Sequence, residues 1–439
     1  EEPRARLGSL AAWLYGRPAE RLLTLGVTGT NGKTTTTFLL DGALRRLGRR
    51  TGLVGTIELR VDTEVIPSTG TTPEAPDLHA LFAVMVEHGV DVCSMEISSH
   101  ALAQHRVDGL TVDVAGFTNL SQDHLDYHHT MDEYFAAKSV LFTPQFAHRA
   151  VVCVDDGWGR RLAARLAVSD VPVVTVGSRP PTGAAEGAPA ALADWQVTST
   201  AVREGTTVAR LRTPAGEALA LSLPLPGDFN VANGVLALAM LVEAGFGAHE
   251  AAIALAGAGP VPGRMERVSS AEPGAATGEP LAVVDYAHTP DAVSAALNAL
   301  RQNAKPLVVV LGAGGDRDRD KRPLMGGAAA AVADVVVVTD DNPRSEDPAA
   351  IRAAVLAGAR ERAGGSGALV IEIPGRRAAI AEAVSRAWSS EGTGVVLVAG
   401  KGHEQGQDVA GTVHPFDDRA VLRQALDEQA RLADQRSPS

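Results

Sequence analysis

Short apolar runs rich in valine, isoleucine and leucine alternate with apolar residues at helical spacing along much of the chain. That alternation predicts parallel strands joined by helical crossovers. Candidate strands are Leu22 to Val27, Val90 to Ile97, Val112 to Phe117, Ala150 to Val154 and Val171 to Val176. Trp195 to Leu225 has the alternation of short antiparallel strands, and an alanine-rich helix is expected from Val231 to about Ala244. The pattern breaks at Val261 to Arg267, and Ser269 to Pro280, rich in Gly, Ala, Ser, Glu and Pro, reads as a linker. A second alternating series follows, with strands at Leu281 to Asp285, Pro306 to Leu311, Asp334 to Thr339, Ala368 to Ile373 and Gly394 to Ala399. The expected architecture is α/β: a short leading helix over residues 1–20, then a central domain over 21–267 with a mainly parallel sheet and a small antiparallel part. A Rossmann-like doubly wound domain over 268–439 completes it. Open α/β sheets bind ligands beyond the carboxyl ends of their strands, and the polar clusters of this chain fall there.

The stretch from Gly26 to Thr37, GVTGTNGKTTTT, closes the first strand and opens a helical pattern through Phe38, Leu39, Leu40, Ala43, Leu44 and Leu47. This is the setting of a phosphate loop, in which glycines let successive N–H groups face polyphosphate at a positive helix end. Lys33 would meet the terminal phosphates, and Thr34 or Thr35 would ligate Mg²⁺. The spacing is GxxGxxGKTT, with the first glycine one residue earlier than in the common GxxxxGK[ST]. A plain glycine turn into a helix would not account for the lysine and threonine run.

Bulk properties narrow the partners. A chain of 439 residues holds two or three domains. A net charge of -12 and a pI near 5.5 argue against nucleic acid or an anionic membrane as partner. No apolar run approaches a membrane span, and no secretory leader pattern opens the chain. Cys93 and Cys153 sit in apolar strand-like runs and read as buried thiols, which fits a cytoplasmic, reducing compartment. Arginine supplies most of the positive charge, so Lys33, Lys138, Lys321 and Lys401, each inside a motif, mark places where a guanidinium would not serve. Lys305 reads as a surface residue.

Several polar clusters carry candidate chemistry. Ser68 to Pro73 precedes a helix, with Thr72 as a candidate N-cap and Pro73 at the first helical position; a cap and a ligand contact both fit. Glu96 ends an apolar strand, where a buried carboxylate needs a cation such as Mg²⁺, unless the strand end is exposed. Asn119 to His129 crowds amide, carboxylate and imidazole groups into one loop, as at a metal or phosphate site. Lys138 lies in an amphipathic helix, where spacing alone assigns it to a solvated face.

Taken together, GVTGTNGKTTT, STGTTP, MEISSH, NLSQDHLDYH, YFAAKSVLF, PGRME, DYAHTPDAV, GAGGDRDRDKRPLMG, DNPR and GKGHE resemble the Mur ligase family. The closest resemblance is to members that add meso-2,6-diaminopimelate to UDP-N-acetylmuramoyl-L-alanyl-D-glutamate in peptidoglycan synthesis. The resemblance implies an ATP-dependent amide ligase working through an acyl phosphate, with Mg²⁺, acting as a monomer without nucleic acid or membrane. It assigns catalytic roles to Lys33, Glu96, His124 and Lys138. Gly29, Thr30, Asn31, Gly32, Lys33, Thr34, Thr35, Asn230, Asn233, Arg264 and Asp285 would contact ATP, with His288 close to the last. Thr34, Glu96, His124 and a carbamylated Lys138 would hold the metal. Thr71, Thr72, Ser98, Gln104 and Arg106 would bind the muramoyl-dipeptide. Arg322, Asp341, Asn342, Pro343, Arg344, Gly400 and Glu404 would bind diaminopimelate. Within that set Arg344 can clasp a carboxylate in a bidentate fork and Glu404 can accept from an ammonium. The family also has an amino-terminal domain holding the UDP part, of which residues 1–20 would be the exit helix. The rival expectations are a folylpolyglutamate-type ligase and a non-catalytic nucleotide-binding regulatory subunit.

Overall fold

Leu23–Thr28 (β1) is enclosed on both faces from Thr24 onward, which suits a strand that pairs in parallel on both sides. The structure, a computed structural model, describes residues 3–68, 70–180, 193–203, 206–270, 278–301, 306–388 and 394–436. The chain forms two compact units, Glu1–Gly259 and Pro260–Ser439.

In the first unit the strands continue as β2 Thr51–Val54, β3 Glu58–Val61, β4 Glu64–Pro67, β5 Val92–Glu96, β6 Val112–Phe117, β7 Ala147–Cys153 and β8 Val173–Gly177. Then come β9 Trp195–Arg203, β10 Thr206–Arg212 and β11 Ala218–Leu223. All belong to one 11-stranded sheet of order β11-β10-β9-β8-β7-β6-β1-β5-β2-β3-β4. Its centre is parallel; β2-β3-β4 and β9-β10-β11 add antiparallel ends. The antiparallel stretch expected at 195–225 is therefore an extension of the main sheet, joined through the parallel β8–β9 pair.

The helices of this unit are α1 Pro3–Leu14, α2 Lys33–Arg46, α3 Ala75–Glu87, α4 Ser99–Ala103, α5 Leu125–His128, α6 Met131–Ser139, α7 Gly157–Leu166, α8 Asp228–Glu243 and α9 Ala248–Ala256. One apolar cluster joins Leu78 and Phe82 of α3, Phe135 of α6 and Leu162 of α7 to Met95, Val112 and Val152 of the strands. Separately, α2, α8 and α9 pack on one another.

Helix α3 does not start where Thr72 and Pro73 predict: its N-cap is Glu74, with Pro76 in the first turn. Thr72 is instead buried, donating its hydroxyl to Glu96 O at 3.0 Å and accepting from Ser98 N at 3.2 Å, so it ties its loop to the end of β5. Thr69 lies outside the described residues.

The second unit holds β12 Glu266–Val268, β13 Leu281–Asp285, β14 Leu307–Leu311, β15 Val335–Val338, β16 Leu369–Glu372 and β17 Val395–Ala399 in the order β12-β13-β17-β14-β15-β16. All its pairs are parallel except β12–β13. That antiparallel pair carries Glu266–Val268 into this unit, so the division falls ahead of the expected break after residue 267. A hairpin, β18 Gly406–Val409 and β19 Thr412–Pro415, follows. The helices are α10 Pro290–Leu300, α11 Lys321–Val332, α12 Pro348–Ser366, α13 Arg376–Ala387 and α14 Asp418–Arg436. Ile380, Val384, Leu422 and Leu426 of α13 and α14 pack on Val284, Val310 and Val396. Of the expected linker, residues 271–277 lie outside the described residues, as does Lys305. Among the described residues no helix is long and apolar enough to cross a membrane.

Candidate active site

In the first unit the polar groups gather at the carboxyl ends of β1, β5 and β6. The loop between β1 and α2 turns through Gly29 at φ 147° and Gly32 at φ 87°. A Cβ on Gly29 would strike Thr118 Oγ1, and one on Gly32 would strike Asn233 Oδ1, so the backbone runs through a slot only glycine fits. Asn119 holds the loop open: its carbonyl accepts from Thr30 N at 2.9 Å and its Oδ1 from Asn31 N at 3.0 Å. Lys33 folds back over the loop, donating to Gly29 O at 2.9 Å and Thr30 O at 3.0 Å. Its ammonium thus stands over a helix amino end, whose first N–H groups have no intrahelical acceptor. Thr35 is buried in the same first turn.

Glu96 is 1% exposed at the end of β5. Its carboxylate accepts from Thr34 Oγ1 at 2.9 Å, Thr56 N at 2.8 Å and Thr56 Oγ1 at 3.2 Å. The loop hydroxyl and the strand-end carboxylate thus meet directly, and their oxygens suit a hard divalent cation. Among the described residues no three His, Cys, Asp or Glu side chains converge on one point, so a cation here would need further ligands to complete its shell. Thr56 is a site residue that sequence reasoning misses. Its available signal is the Gly55-Thr56 step closing β2, where a Cβ on Gly55 would come within 2.6 Å of Glu96 Oε1.

Lys138 is 1% exposed, not solvated as helical spacing alone predicts. Its ammonium donates to Gly29 O at 2.8 Å, the carbonyl that also receives Lys33, and lies 4.6 Å from the Tyr134 ring centre. Burial first, and then the Lys33 charge, push its pKa well below the usual lysine value, so the neutral amine is accessible. Tyr134 in turn bonds Thr30 Oγ1 through its hydroxyl at 3.2 Å. His124 adopts a left-handed backbone at φ 55° and packs edge-on against His100 at 4.9 Å and Tyr134 at 6.0 Å. Its side chain is 43% exposed and lies 3.5 Å from the Asp123 carboxylate; desolvation by the packed rings lowers its pKa to about 4, against the pull of Asp123 and with Lys33 and Lys138 adding to the effect, which favours the neutral imidazole.

The residues expected to bind the muramoyl-dipeptide lie beside Glu96. Thr71 Oγ1 is 3.0 Å from Thr56 Oγ1, and Ser98 caps α4 by accepting from Ala101 N at 3.1 Å. Arg106 donates to Thr72 O at 3.1 Å and to Gln104 Oε1 at 2.7 Å, and pairs with Glu74 at 3.0 Å. Asn230 and Asn233 bond each other at 3.3 Å at the start of α8, with Asn233 against Gly32.

In the second unit a second cluster forms around the ends of β13, β14, β15 and β17. Asp285 accepts from Met265 N at 2.7 Å and Ala287 N at 2.8 Å, and burial raises its pKa. Arg264 lies over the Tyr286 ring at 4.4 Å, and His288 bonds the Tyr286 carbonyl at 2.8 Å. Arg322, 3% exposed, is gripped by Glu346 in a bidentate pair at 3.0 and 2.7 Å, which holds the Glu346 pKa down at about 2. Its Nε–H is buried and has no partner among the described residues. Glu346 is the second residue the sequence reading misses; its signal is an acid two positions beyond Arg344.

Arg344 sits at φ 51°, donates to Gly315 O at 2.7 Å, and bridges to Val409 of the hairpin. Left-handed backbone at a non-glycine residue costs about 1–3 kcal/mol and tends to collect at functional sites. Asn342 donates to Glu404 Oε2 at 2.7 Å, and Gln407 donates to Asp341 O at 2.6 Å. Gly400 at φ 112° passes against the Asp341 carboxylate. The residues expected to bind diaminopimelate thus lie in one unit, Arg322 in the first turn of α11 and Asp341, Asn342, Pro343, Arg344, Gly400 and Glu404 in the loops after β15 and β17.

A glycine loop under an ammonium, a carboxylate on the loop threonine and two α/β units define a nucleotide-dependent enzyme of the phosphate-loop type. Comparison with known proteins makes this specific. The family described as Mur ligase middle domain matches residues 27–241, and the Mur ligase, glutamate ligase domain matches residues 263–402. The chain is 50% identical to the UDP-N-acetylmuramoyl-L-alanyl-D-glutamate--2,6-diaminopimelate ligase of Streptomyces avermitilis over 98% of this chain and 80% of that protein. It is 47% identical to the Corynebacterium glutamicum protein of the same name, over 98% of this chain and 80% of that one. The chain belongs to the Mur ligase family.

A solved UDP-N-acetylmuramoyl-L-alanyl-D-glutamate--2,6-diaminopimelate ligase superposes with a TM-score of 0.65 at 33% identity, covering 97% of this chain and 83% of that one. A Mycobacterium tuberculosis folylpolyglutamate synthase complexed with ADP superposes at 0.71 with 22% identity, covering 100% and 96%, and shares the fold.

Proposed function

We propose that this chain is an ATP-dependent acid–amino-acid ligase that joins meso-2,6-diaminopimelate to UDP-N-acetylmuramoyl-L-alanyl-D-glutamate, a step of peptidoglycan precursor synthesis in the cytoplasm. ATP phosphorylates the D-glutamate side-chain carboxyl, and the amine of the diamino acid displaces phosphate from the acyl phosphate. The phosphate loop and Lys33 bind and orient the polyphosphate. Thr34 and Glu96, with His124, would hold Mg²⁺, whose chemistry is to screen the charge between two anions. Lys138, with its pKa driven down by burial, is suited to attack CO₂ as a free amine, giving a carbamate and a proton; the resulting anion would join the same donor set. Thr71, Thr72, Ser98, Gln104 and Arg106 orient the dipeptide carboxyl. Asn230, Asn233, Arg264 and Asp285 serve the nucleotide.

The observation that carries the choice of amino acid is the second cluster: the Arg344 guanidinium supplies carboxylate donors, and Glu404 supplies an ammonium acceptor. Diaminopimelate has a zwitterion at each end. L-Lysine has no distal carboxylate, and leaving a buried donor unpaired costs about 1–3 kcal/mol, or roughly 5- to 150-fold. The test is phosphate release with Mg²⁺-ATP and the UDP-linked dipeptide, comparing the two amino acids. Release that depends on diaminopimelate supports the ligase. Equal rates with L-lysine overturn the amino-acid assignment, and acceptor-independent silence overturns the ligase in favour of a nucleotide-binding regulatory role.

A further inference from the structure

Lys401 is fully enclosed, yet no reactant has been assigned to it. Its three ammonium hydrogens face three oxygens: Asn342 Oδ1 at 3.2 Å, Glu404 Oε2 at 3.2 Å and Gly406 O at 2.5 Å. A compact, three-donor cation meets that arrangement; a planar guanidinium in the same enclosed space would not. Asn342 Oδ1 also accepts from Asp408 N at 3.0 Å. With two donors on one end of the amide, the orientation of Asn342 is determined, and its NH₂ must face Glu404 Oε2, at 2.7 Å.

Both donors to the Glu404 carboxylate therefore fall on Oε2. Glu404 Oε1 accepts no hydrogen bond among the described residues, and the side chain is 30% exposed. One oxygen is anchored inward, and the other is left as an acceptor. The buried Lys401 charge balances that of Glu404, so the side chain is held in place without drawing in a solvent cation.

We propose that Lys401 is a positioning residue for amino-acid recognition, locking Asn342 and Glu404 so that Glu404 Oε1 is presented to the ligand ammonium. This deepens the reading of the cluster as the diaminopimelate site and rests on it. Lys401 does not touch the ligand; it acts through Glu404.

The test is a double-mutant cycle on the full chain, read by phosphate release. Lys401→Met is expected to raise KM for diaminopimelate about tenfold or more, with KM for ATP and for the UDP-linked dipeptide within about twofold of wild type. Glu404→Gln is expected to do the same, and the double variant to be no worse than the poorer single, since both remove one device. Lys401→Arg is expected not to rescue. An unchanged KM for diaminopimelate, multiplicative losses in the double variant, or an equal rise in KM for ATP would each overturn the proposal. Thermal melting and ADP binding report folding; should Lys401→Met fail there, Lys401→Gln, which keeps a donor for Gly406 O, carries the same cycle. A wild-type chain without diaminopimelate-dependent release removes the functional reading and this one together. An active wild type with an unaffected Lys401 variant removes only this one.

Discussion

Arg376 opens α13 and Asp418 opens α14, and both side chains are 0% exposed. Arg376 Nε donates to Asp418 Oδ1 at 2.7 Å and its second nitrogen to Oδ2 at 2.6 Å, a bidentate pair in the interior. The same guanidinium donates to Ala399 O at 2.8 Å and Asp340 O at 3.4 Å. It therefore braces the carboxyl ends of the chain segments that lead into Gly400 and Asp341. Arg376→Met would leave the Asp418 carboxylate enclosed without a cation, and breaking one side of a buried pair costs about 3–5 kcal/mol. In a unit of this size each kcal/mol moves the melting midpoint by roughly 2–4 °C, so the second unit should unfold about 6–20 °C lower. The double change Arg376→Met with Asp418→Leu should recover most of that loss, because no uncompensated charge remains. Calorimetry resolves both, and the single variant should also raise KM for the amino acid, since Ala399 precedes the loop that carries Lys401 and Glu404. A single variant melting within about 2 °C of wild type, or a double variant less stable than the single, would refute the reasoning.

Two further outcomes follow from the first unit and from the buried imidazoles. Glu96→Gln keeps the size of the side chain but removes the charge that meets Thr34 and Thr56; phosphate release should fall about 100-fold or more while nucleotide still binds, and full activity would contradict the role given to Glu96. Burial holds His128 near a pKa of about 4 and His403 near about 3, below the roughly 6.5 of an unfolded chain. Between those values the unfolded chain takes up protons that the folded chain refuses, so stability is full above about pH 6.5 and is lost as pH falls toward 4. Denaturant titrations across that window should show a shallower acid slope for His128→Asn, and identical slopes would dismiss the buried imidazole as the cause.

What is legible in the sequence and what is not divides along the range of the interaction. The phosphate loop can be read because strand, glycines, lysine and threonine are contiguous, and Glu96 because a carboxylate ending an apolar strand needs a partner. The unit-by-unit alternation of strands and helices is legible for the same local reason. Lys138 is different: helical spacing puts it with solvated positions, and only the packing of Tyr134 and the Gly29 carbonyl show it enclosed. Thr56 meets Glu96 because β2 pairs beside β5 with Val54 opposite Met95, a register that no local pattern states. Glu346 is visible as an acid near DNPR, but that it grips Arg322 depends on β14 and β15 lying side by side. The Arg376–Asp418 pair joins the starts of two helices distant in sequence, and Thr72 looks like a helix cap until the end of β5 is seen to claim it. In each case the residue that would touch a reactant sits in a short motif, because loops at strand ends deliver it locally. The residue that holds it in place comes from a neighbouring strand or helix, so its identity is encoded in the pairing and not in the spacing. A variant that spares every motif residue can therefore still disable the site, and Lys401, inside a motif yet acting only through its neighbours, is where the two kinds of information meet.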